Sequence, residues 1–340
     1  MVAYSVVRDS NMLIANSLPE GLVAVFVGGT SGIGEYTLKE LARAARKPRI
    51  YILGRSQTSF DRIAADCKQI NPEGRYSFVQ GDISLLRNVD RLCHKVQEQE
   101  SAINIVFWSA GTLISKQKTA EGLDVAAALR VYSRTRIIAN FLPQLAAATG
   151  IRRVVSVSTG TDEGAVDFDD FQLLRGGGLA KQRAHNSSII SLTNMYFAHK
   201  APTVSFIHDY PGLVRSGISR GTTGALRAAF VVMNALGPLL FYKPDQESGA
   251  RHLYYLTSAR FKAKEGVEES VPVGDGIAVA RGVDGVSGGG IYSCDADNEE
   301  APRKVERILA RHKEQGAVER VWKQIQDDTD AILRPVHQEA

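Results

Sequence analysis

The stretch that most constrains this chain is an apolar run that leads into a glycine-rich turn, Val25-Phe-Val-Gly-Gly-Thr-Ser-Gly-Ile-Gly34. The apolar part predicts a buried strand, and a helix is predicted from about residue 35. Glycines at 28, 32 and 34 let the backbone turn tightly and approach a pyrophosphate, which the free N–H groups of a helix start attract. The stretch predicts a dinucleotide site, although such glycines can also form a turn without a ligand.

Short apolar runs alternate with helical patterns after this turn. Such strand–helix units imply right-handed crossovers and a parallel sheet covered on both faces. The pattern predicts strands at 23–27, 49–53, 76–80, 103–107, 152–157, 203–208 and 288–293, with helices at 5–18, 35–46, 60–70 and 85–99. Two charged amphipathic helices, at 301–315 and 317–333, are expected to cap the core. The fold class is therefore α/β, with a helical extension over 297–340.

Composition excludes several classes of function. The 340 residues are 44% hydrophobic and 23% charged, which is typical of a soluble globular protein. A net charge of +4 with interspersed signs argues against a nucleic-acid surface and fits an anionic cofactor. The histidines and cysteines have no metal-binding spacing, so no metal site is expected.

Location is inferred from three further observations. Cys67, Cys93 and Cys294 are far apart and odd in number, which suits a reducing compartment and buried thiols. The N-terminus lacks the pattern of a signal peptide. The apolar stretch 222–242 is interrupted by Arg227 and Gly237-Pro238, which favours a buried or lid helix pair over a transmembrane span. We expect a cytoplasmic protein without a transmembrane segment.

The glycine spacing Gly-x3-Gly-x-Gly is similar to the fingerprint of short-chain dehydrogenases/reductases, with Val27 where that family usually has Thr. The resemblance covers about residues 20–296. Ala110-Gly111 matches the end of the family's Asn-Asn-Ala-Gly, and Tyr210-Pro211-Gly212 matches the turn beside the nicotinamide. It implies a Rossmann-type doubly wound parallel sheet, a small-molecule substrate and, as in many members, a homo-oligomer.

The resemblance also assigns the cofactor contacts. Arg55 follows the second strand, where an acid would bind a ribose hydroxyl but Arg can bind a 2′-phosphate, so the cofactor is predicted to be NADP(H). Asp82 and Ile83 are expected to flank adenine, or Asp82 to cap the following helix. The predicted cofactor residues are Gly28, Thr30, Ser31, Gly32, Ile33, Gly34, Arg55, Asp82, Ile83, Ser109, Ala110, Gly111, Pro211 and Gly212.

The family's catalytic Asn, Ser, Tyr and Lys are altered. Arg130 stands at the Asn position and Thr159 at the Ser position. Tyr196-x3-Lys200 is interpreted as a chance match, because it lies only fifteen residues before Pro211, about half the expected separation. Counting back from Pro211 places other residues at the Tyr and Lys positions: Arg183 and Ser187, with His185 between them.

An acidic loop, 160–170, follows the fifth strand and is expected near Arg130, as an ion-pair partner or as a solvated loop. Arg130 together with Asp167 resembles the arrangement in short-chain-fold reductase/Diels–Alderases of fungal indole alkaloid pathways. Arg130 or Thr159 is expected to polarise a carbonyl, and Asp167 or His185 to transfer protons.

Three functions remain open. The first is an NADPH-dependent oxidoreductase that reduces a carbonyl or iminium of a large apolar intermediate in secondary metabolism, beneath a lid at about 213–245. The second is a redox-neutral cyclase or isomerase that uses NADP structurally. The third is a non-catalytic NADP-binding protein.

Overall fold

The computed structural model describes residues 1–114, 117–219, 242–267 and 269–334, together with 224, 227, 228, 231–233, 235 and 237. In this part of the chain, seven strands form one sheet: β1 (Val23–Val27), β2 (Arg49–Gly54), β3 (Arg75–Gln80), β4 (Ile105–Trp108), β5 (Arg153–Val157), β6 (Ser205–Asp209) and β7 (Ile291–Cys294). Every neighbouring pair is parallel, and the order is β3-β2-β1-β4-β5-β6-β7. The strand order reverses between β1 and β4, and such a switch point is where ligands bind in open α/β sheets.

Helices cover both faces of the sheet. Within the described residues they are α1 (Tyr4–Met12), α2 (Ile14–Ser17), α3 (Gly32–Ala44), α4 (Gln57–Ile70), α5 (Leu86–Gln97), α6 (Val125–Ala127), a π-helical segment (Ala128–Ser133), α7 (Arg134–Ala147), α8 (Leu179–Lys200), α9 (Asp245–Thr257), a 3₁₀ turn (Ala259–Phe261), α10 (Arg303–Glu314) and α11 (Ala317–Leu333). The arrangement confirms the predicted Rossmann-type, doubly wound α/β fold.

Strand side chains alternate between two apolar cores. On β1, Ala24 and Phe26 pack in the core that contains Leu38 of α3, whereas Val25 packs in the core that contains Ile137 of α7. This alternation follows from the period of two along a strand. Because both faces are covered, all five β1 residues are buried, and the strand therefore reads as a continuous apolar run.

The two C-terminal helices pack against the elements that follow β4 and β5. The indole of Trp322 on α11 stacks on Tyr196 of α8, with the ring centroids 4.1 Å apart. The Tyr132 hydroxyl, in the π-helical segment, donates to Asp328 of α11 at 2.5 Å. The extension thereby contacts helices that carry candidate catalytic residues.

Several boundaries differ from the sequence prediction. Helix α3 begins at Gly32 rather than near residue 35, so its first turn lies inside the glycine motif. The predicted single helix 5–18 is two helices, which meet at Leu13. The predicted lid, 213–245, and the stretch 222–242 lie partly outside the described residues.

Two observations concern residues outside the site. No helix in the described ranges is long and apolar enough to cross a membrane. All three cysteines are free and buried, as predicted, and burial raises the pKa of the Cys67 and Cys93 thiols to about 12.

Candidate nucleotide-binding and active site

The glycine turn joins β1 to α3 at the carboxyl end of the sheet. Gly28 has a φ of +92°, and a Cβ there would lie 2.7 Å from the Ala110 backbone nitrogen. A Cβ on Gly34 would lie 2.3 Å from the Gly28 carbonyl oxygen. No side chain caps the start of α3 at Ser31, so its first N–H groups remain available to an anion. The turn therefore has the shape and the donors that a pyrophosphate requires.

The adenosine end of the predicted site lies beyond β2 and β3. Arg55 is exposed and lines the same cavity as Asp82 and Ile83. The Asp82 carboxylate accepts from the backbone N–H and the hydroxyl of Ser84, at 2.9 and 2.8 Å. The alternative prediction of Asp82 as the helix cap is wrong, because the Glu121 carboxylate instead accepts from the first N–H groups of α5.

The turn after β4 closes onto the glycine motif. The Ser109 hydroxyl donates to the Gly28 carbonyl at 3.1 Å, and the Trp108 indole N–H donates to the Ala110 carbonyl at 2.8 Å. Both residues line the cavity together with Ala110 and Gly111. The structure thus brings the predicted β1 and β4 turns into direct contact.

Arg130 lies in the π-helical segment, and its side chain lines the cavity. Its guanidinium donates to the Thr112 carbonyl at 2.6 Å. Burial lowers the pKa of Arg130, against the opposing effect of the nearby Asp124 carboxylate. The wide π-helical turn is a frequent feature of functional sites.

Arg134, which sequence reasoning missed, lies one turn after Arg130 and is buried beneath the same cavity. Among the described residues it donates to neutral oxygens alone: those of Ser156, Thr193, Asn194 and the Arg130 backbone. Burial lowers the pKa of Arg134 to about 9. An arginine in an otherwise helical pattern gave no signal of this burial.

Thr159 follows β5 and lines the cavity. Its hydroxyl is buried and has no hydrogen-bond partner within the described part of the chain. Leaving a buried hydroxyl unpaired costs about 1–3 kcal/mol, so such a group is expected to serve a ligand.

A buried polar network holds the Thr159 backbone. The Thr159 N–H donates to Nε2 of His208 at 3.3 Å, which places the ring proton on Nδ1, 3.1 Å from the Ser191 hydroxyl. Ser191 donates in turn to Glu163 at 2.7 Å. Burial would raise the pKa of Glu163, but interactions with the neighbouring His208, Ser293 and Ser191 hold it below its usual value. The spacing of these residues in the sequence gave no signal of the network.

Asp167 and His185 are not among the residues that line the cavity. The Asp167 carboxylate pairs with Lys181 at 2.8 Å and accepts from the N–H groups of Asp169 and Asp170. Of the two alternatives for the acidic loop, the ion pair of Asp167 with Arg130 is not formed, because loop donors and Lys181 occupy this carboxylate. His185 is buried, accepts from the Asp167 N–H at 3.0 Å, and contacts the Phe171 carbonyl at 3.0 Å.

One cavity of ≈ 570 Å³ connects these groups. It extends from the glycine turn and Arg55 past Trp108 to Arg130 and Thr159, with Pro211 and Gly212 beside them. The remaining lining toward α8 includes Arg183, whose guanidinium pairs with Asp162 at 2.5 Å and lies 4.9 Å from the Tyr210 ring centroid.

Comparisons with known proteins agree with this geometry. A family model described as short chain dehydrogenase matches residues 22–161. Oxidoreductase AN1596 of Emericella nidulans is 38% identical, with 98% of each chain covered. The short-chain dehydrogenase/reductase SAT2 of Stachybotrys chartarum is 30% identical over 81% of this chain and 84% of its own. The chain belongs to the short-chain dehydrogenase/reductase family.

Family membership agrees with the fold and implies a nicotinamide cofactor. The Pseudomonas aeruginosa RhlG/NADP active-site complex superposes with a TM-score of 0.54 at 17% identity, covering 77% of this chain and 98% of its own. As a member of this family, the chain is an oxidoreductase by class. Its literal Tyr196-x3-Lys200 lies in the last turns of α8, where Tyr196 packs on Trp322, outside the cavity.

Proposed function

We propose that the protein is an NADPH-dependent reductase of a carbonyl or iminium in a large, largely apolar intermediate. One observation carries this proposal: a single cavity joins the glycine turn to the unpaired hydroxyl of Thr159 and to Arg130. A nucleotide that lies along the turn would thus end beside groups that can polarise a substrate.

Arg55 supports the choice of NADP(H) over NAD(H). It directly follows β2, is exposed, and lines the cavity. An acidic residue, which would bind the ribose hydroxyl of NAD(H), is therefore absent from this position. A guanidinium there can form paired, charge-assisted hydrogen bonds with a 2′-phosphate. When bound, NADPH supplies a hydride to the acceptor carbon, and the protein orients that acceptor.

Thr159 and Arg130 are proposed to act on the acceptor. The Thr159 hydroxyl can donate to a carbonyl oxygen, and the Arg130 guanidinium stabilises the negative charge that develops there. The oxygen then takes a proton from solvent. If Arg183 and Ser187 stand at the family's Tyr and Lys positions, as the sequence predicts, neither is an efficient proton donor, and an iminium acceptor would need no proton when it accepts hydride.

The proposed substrate is inferred from the apolar part of the cavity. Several leucine, isoleucine and methionine side chains line the cavity, and they include Leu113, Ile114, Leu129, Leu179, Leu213, Ile218 and Met233. Leu179 and Leu213 are exposed, although large apolar side chains are usually buried. Together with the similarity to fungal oxidoreductases, this lining supports a role in secondary metabolism.

A redox-neutral cyclase or isomerase is the second candidate. It is favoured by Arg183, which stands at the predicted Tyr position and is ion-paired with Asp162, and so is a poor proton donor. In that case NADP would be structural, and Arg130 would position a polarised ring.

Metabolites of the native host with and without this gene, compared by mass spectrometry, separate the two candidates. A reductase predicts an accumulated intermediate that, as a neutral molecule, has two hydrogens fewer than the final product, or one hydrogen fewer if it is detected as an iminium cation. An intermediate that is an isomer of the product would instead support the redox-neutral reaction. An unchanged metabolite profile would contradict both.

A further inference from the structure

The substrate end of the cavity carries positive charge that the described residues do not neutralise. Three arginines line it, namely Arg130, Arg134 and Arg183. Arg183 is paired with Asp162, but neither Arg130 nor Arg134 has a carboxylate within ion-pair distance in the described ranges. Burial lowers the pKa of Arg130 although the charge of the Asp124 carboxylate raises it, and this carboxylate also accepts from the first N–H groups of α6.

Arg130 is the more available of the two. Its guanidinium has five N–H donors, and within the part of the chain that the structure describes one of them is used, by the Thr112 carbonyl. The Arg134 guanidinium already donates to four neutral oxygens. It therefore contributes positive charge to this end of the cavity but is less free to bind a ligand directly. The two residues lie one helical turn apart, so their charges act on the same part of the cavity.

Burying two guanidinium groups without a counter-charge is unfavourable, and buried charges in proteins are normally paired. A bound ligand can therefore supply the missing negative charge. A carboxylate, or an acidic enol that is ionised at neutral pH, presents two or more oxygen acceptors and matches the planar guanidinium fork.

We propose that the substrate carries an anionic oxygen group, a carboxylate or an ionised enol, that binds Arg130 at the substrate end of the cavity. This inference rests on the proposed function, because only that function makes the bound molecule a substrate. The inference itself concerns binding and not the reaction. The apolar side chains and the arginines that line the cavity together specify an amphipathic acid: a large apolar body with one acidic group.

Two matched probes test the charge. The protein saturated with NADP⁺ is titrated by calorimetry with 2-naphthoate and with 2-naphthamide, which have the same ring and differ in charge. We expect naphthoate to bind about ten- to hundredfold more tightly, and this preference to decrease as salt rises. Saturation with NADP⁺ excludes the cofactor's phosphates as the reason for the effect.

Variants then assign the effect to Arg130. Arg130→Gln is expected to remove the preference for naphthoate, and Arg130→Lys to retain part of it. Arg91→Gln makes the same change of charge at an exposed residue of α5, outside the cavity, and is the control. Unchanged NADPH affinity of Arg130→Gln establishes that this variant is folded.

Several results would overturn the inference. Naphthoate that binds no more tightly than naphthamide, including no binding of either, contradicts it, as does an unchanged preference in Arg130→Gln. Loss of NADPH affinity in an Arg130→Gln variant that keeps the wild-type urea unfolding transition would assign this arginine to the cofactor instead. Failure of the proposed function is distinguishable, because a protein that transfers no hydride can still prefer the acid over the amide.

Discussion

Replacing Gly34 by alanine is expected to remove most of the nucleotide affinity while leaving the sheet intact. The new Cβ would lie 2.3 Å from the Gly28 carbonyl oxygen and 2.5 Å from the Ser109 hydroxyl. Ser109 can rotate away, but the Gly28 carbonyl belongs to the turn itself. Ordinary contact begins at 3.4 Å, so the turn must move by about 1 Å.

The size of the effect follows from this overlap. Overpacking by one methyl group costs about 1–3 kcal/mol where the backbone must yield. If the nucleotide requires the original turn, binding must restore the strained geometry, and affinity should fall by about ten- to hundredfold. The assay is fluorescence titration with NADPH, combined with urea unfolding to measure the free energy of unfolding.

Gly274→Ala is the matched control, since a Cβ there meets nothing within 4 Å and the backbone φ is not positive. It should leave NADPH affinity and the free energy of unfolding unchanged. Wild-type affinity in Gly34→Ala would refute the assignment of this turn to the nucleotide.

Four further perturbations have defined outcomes. Arg55→Ala should weaken NADPH binding by about tenfold and leave NADH binding unchanged in parallel titrations, because only NADPH carries the 2′-phosphate. Thr159→Val should lower kcat by about ten- to hundredfold with the native substrate, since it removes a donor to the developing charge. Tyr132→Phe should lower the free energy of unfolding in urea by about 1–3 kcal/mol, because it removes the bond to Asp328. Burial lowers the pKa of His185 below its usual 6.5, so the free energy of unfolding should fall as pH decreases below about 6.5 and be constant just above it.

Each of these has a control and a contradicting result. Equal affinities of the unmodified protein for NADPH and NADH would contradict the role of Arg55. Thr159→Ser should retain most of the turnover, and a fully active Thr159→Val would contradict the role of the hydroxyl. A Tyr132→Phe variant as stable as the wild type would show that the bond to Asp328 contributes nothing.

The sign of the pH effect follows from the neutral form of His185. Its Nδ1 accepts the Asp167 N–H, so the folded state binds fewer protons than the unfolded state below pH 6.5. Asp167 and Asp170 oppose this shift and Lys181 adds to it, but burial dominates. In His185→Gln the dependence between pH 5 and 6.5 should flatten, and an unchanged slope would contradict the assignment.

The sequence predicted much of the scaffold because its patterns are local. The strand Val23–Val27 and the helix Ala317–Leu333 have the predicted bounds, since each is marked by an apolar period and by turn residues at its ends. The glycines of the turn predicted a close approach between backbone segments. Gly28 and Ala110 approach each other so closely that a Cβ on Gly28 would not fit.

The active-site chemistry was less predictable because it depends on partners far apart in the chain. The acidic loop that carries Asp167 was expected either to pair with Arg130 or to be solvated, but Lys181 and the N–H groups of the loop itself bind the Asp167 carboxylate. The bonds that join Thr159 to His208 and Ser191 to Glu163 span 49 and 28 residues, a separation that no short motif records. The burial of Arg134 could not be predicted from the sequence either, because it depends on which helices pack over this side chain.

Transfer of a labelled hydride is the most direct test of the central claim, that this cavity performs NADPH-dependent reduction. The purified protein is incubated with the intermediate that accumulates without the gene and with NADPH deuterated at C4 on either face. The account predicts that one of the two labelled cofactors places one deuterium on the former carbonyl or iminium carbon, with one NADP⁺ formed per product. Product formed without deuterium from either cofactor, and without NADPH consumption, would contradict it.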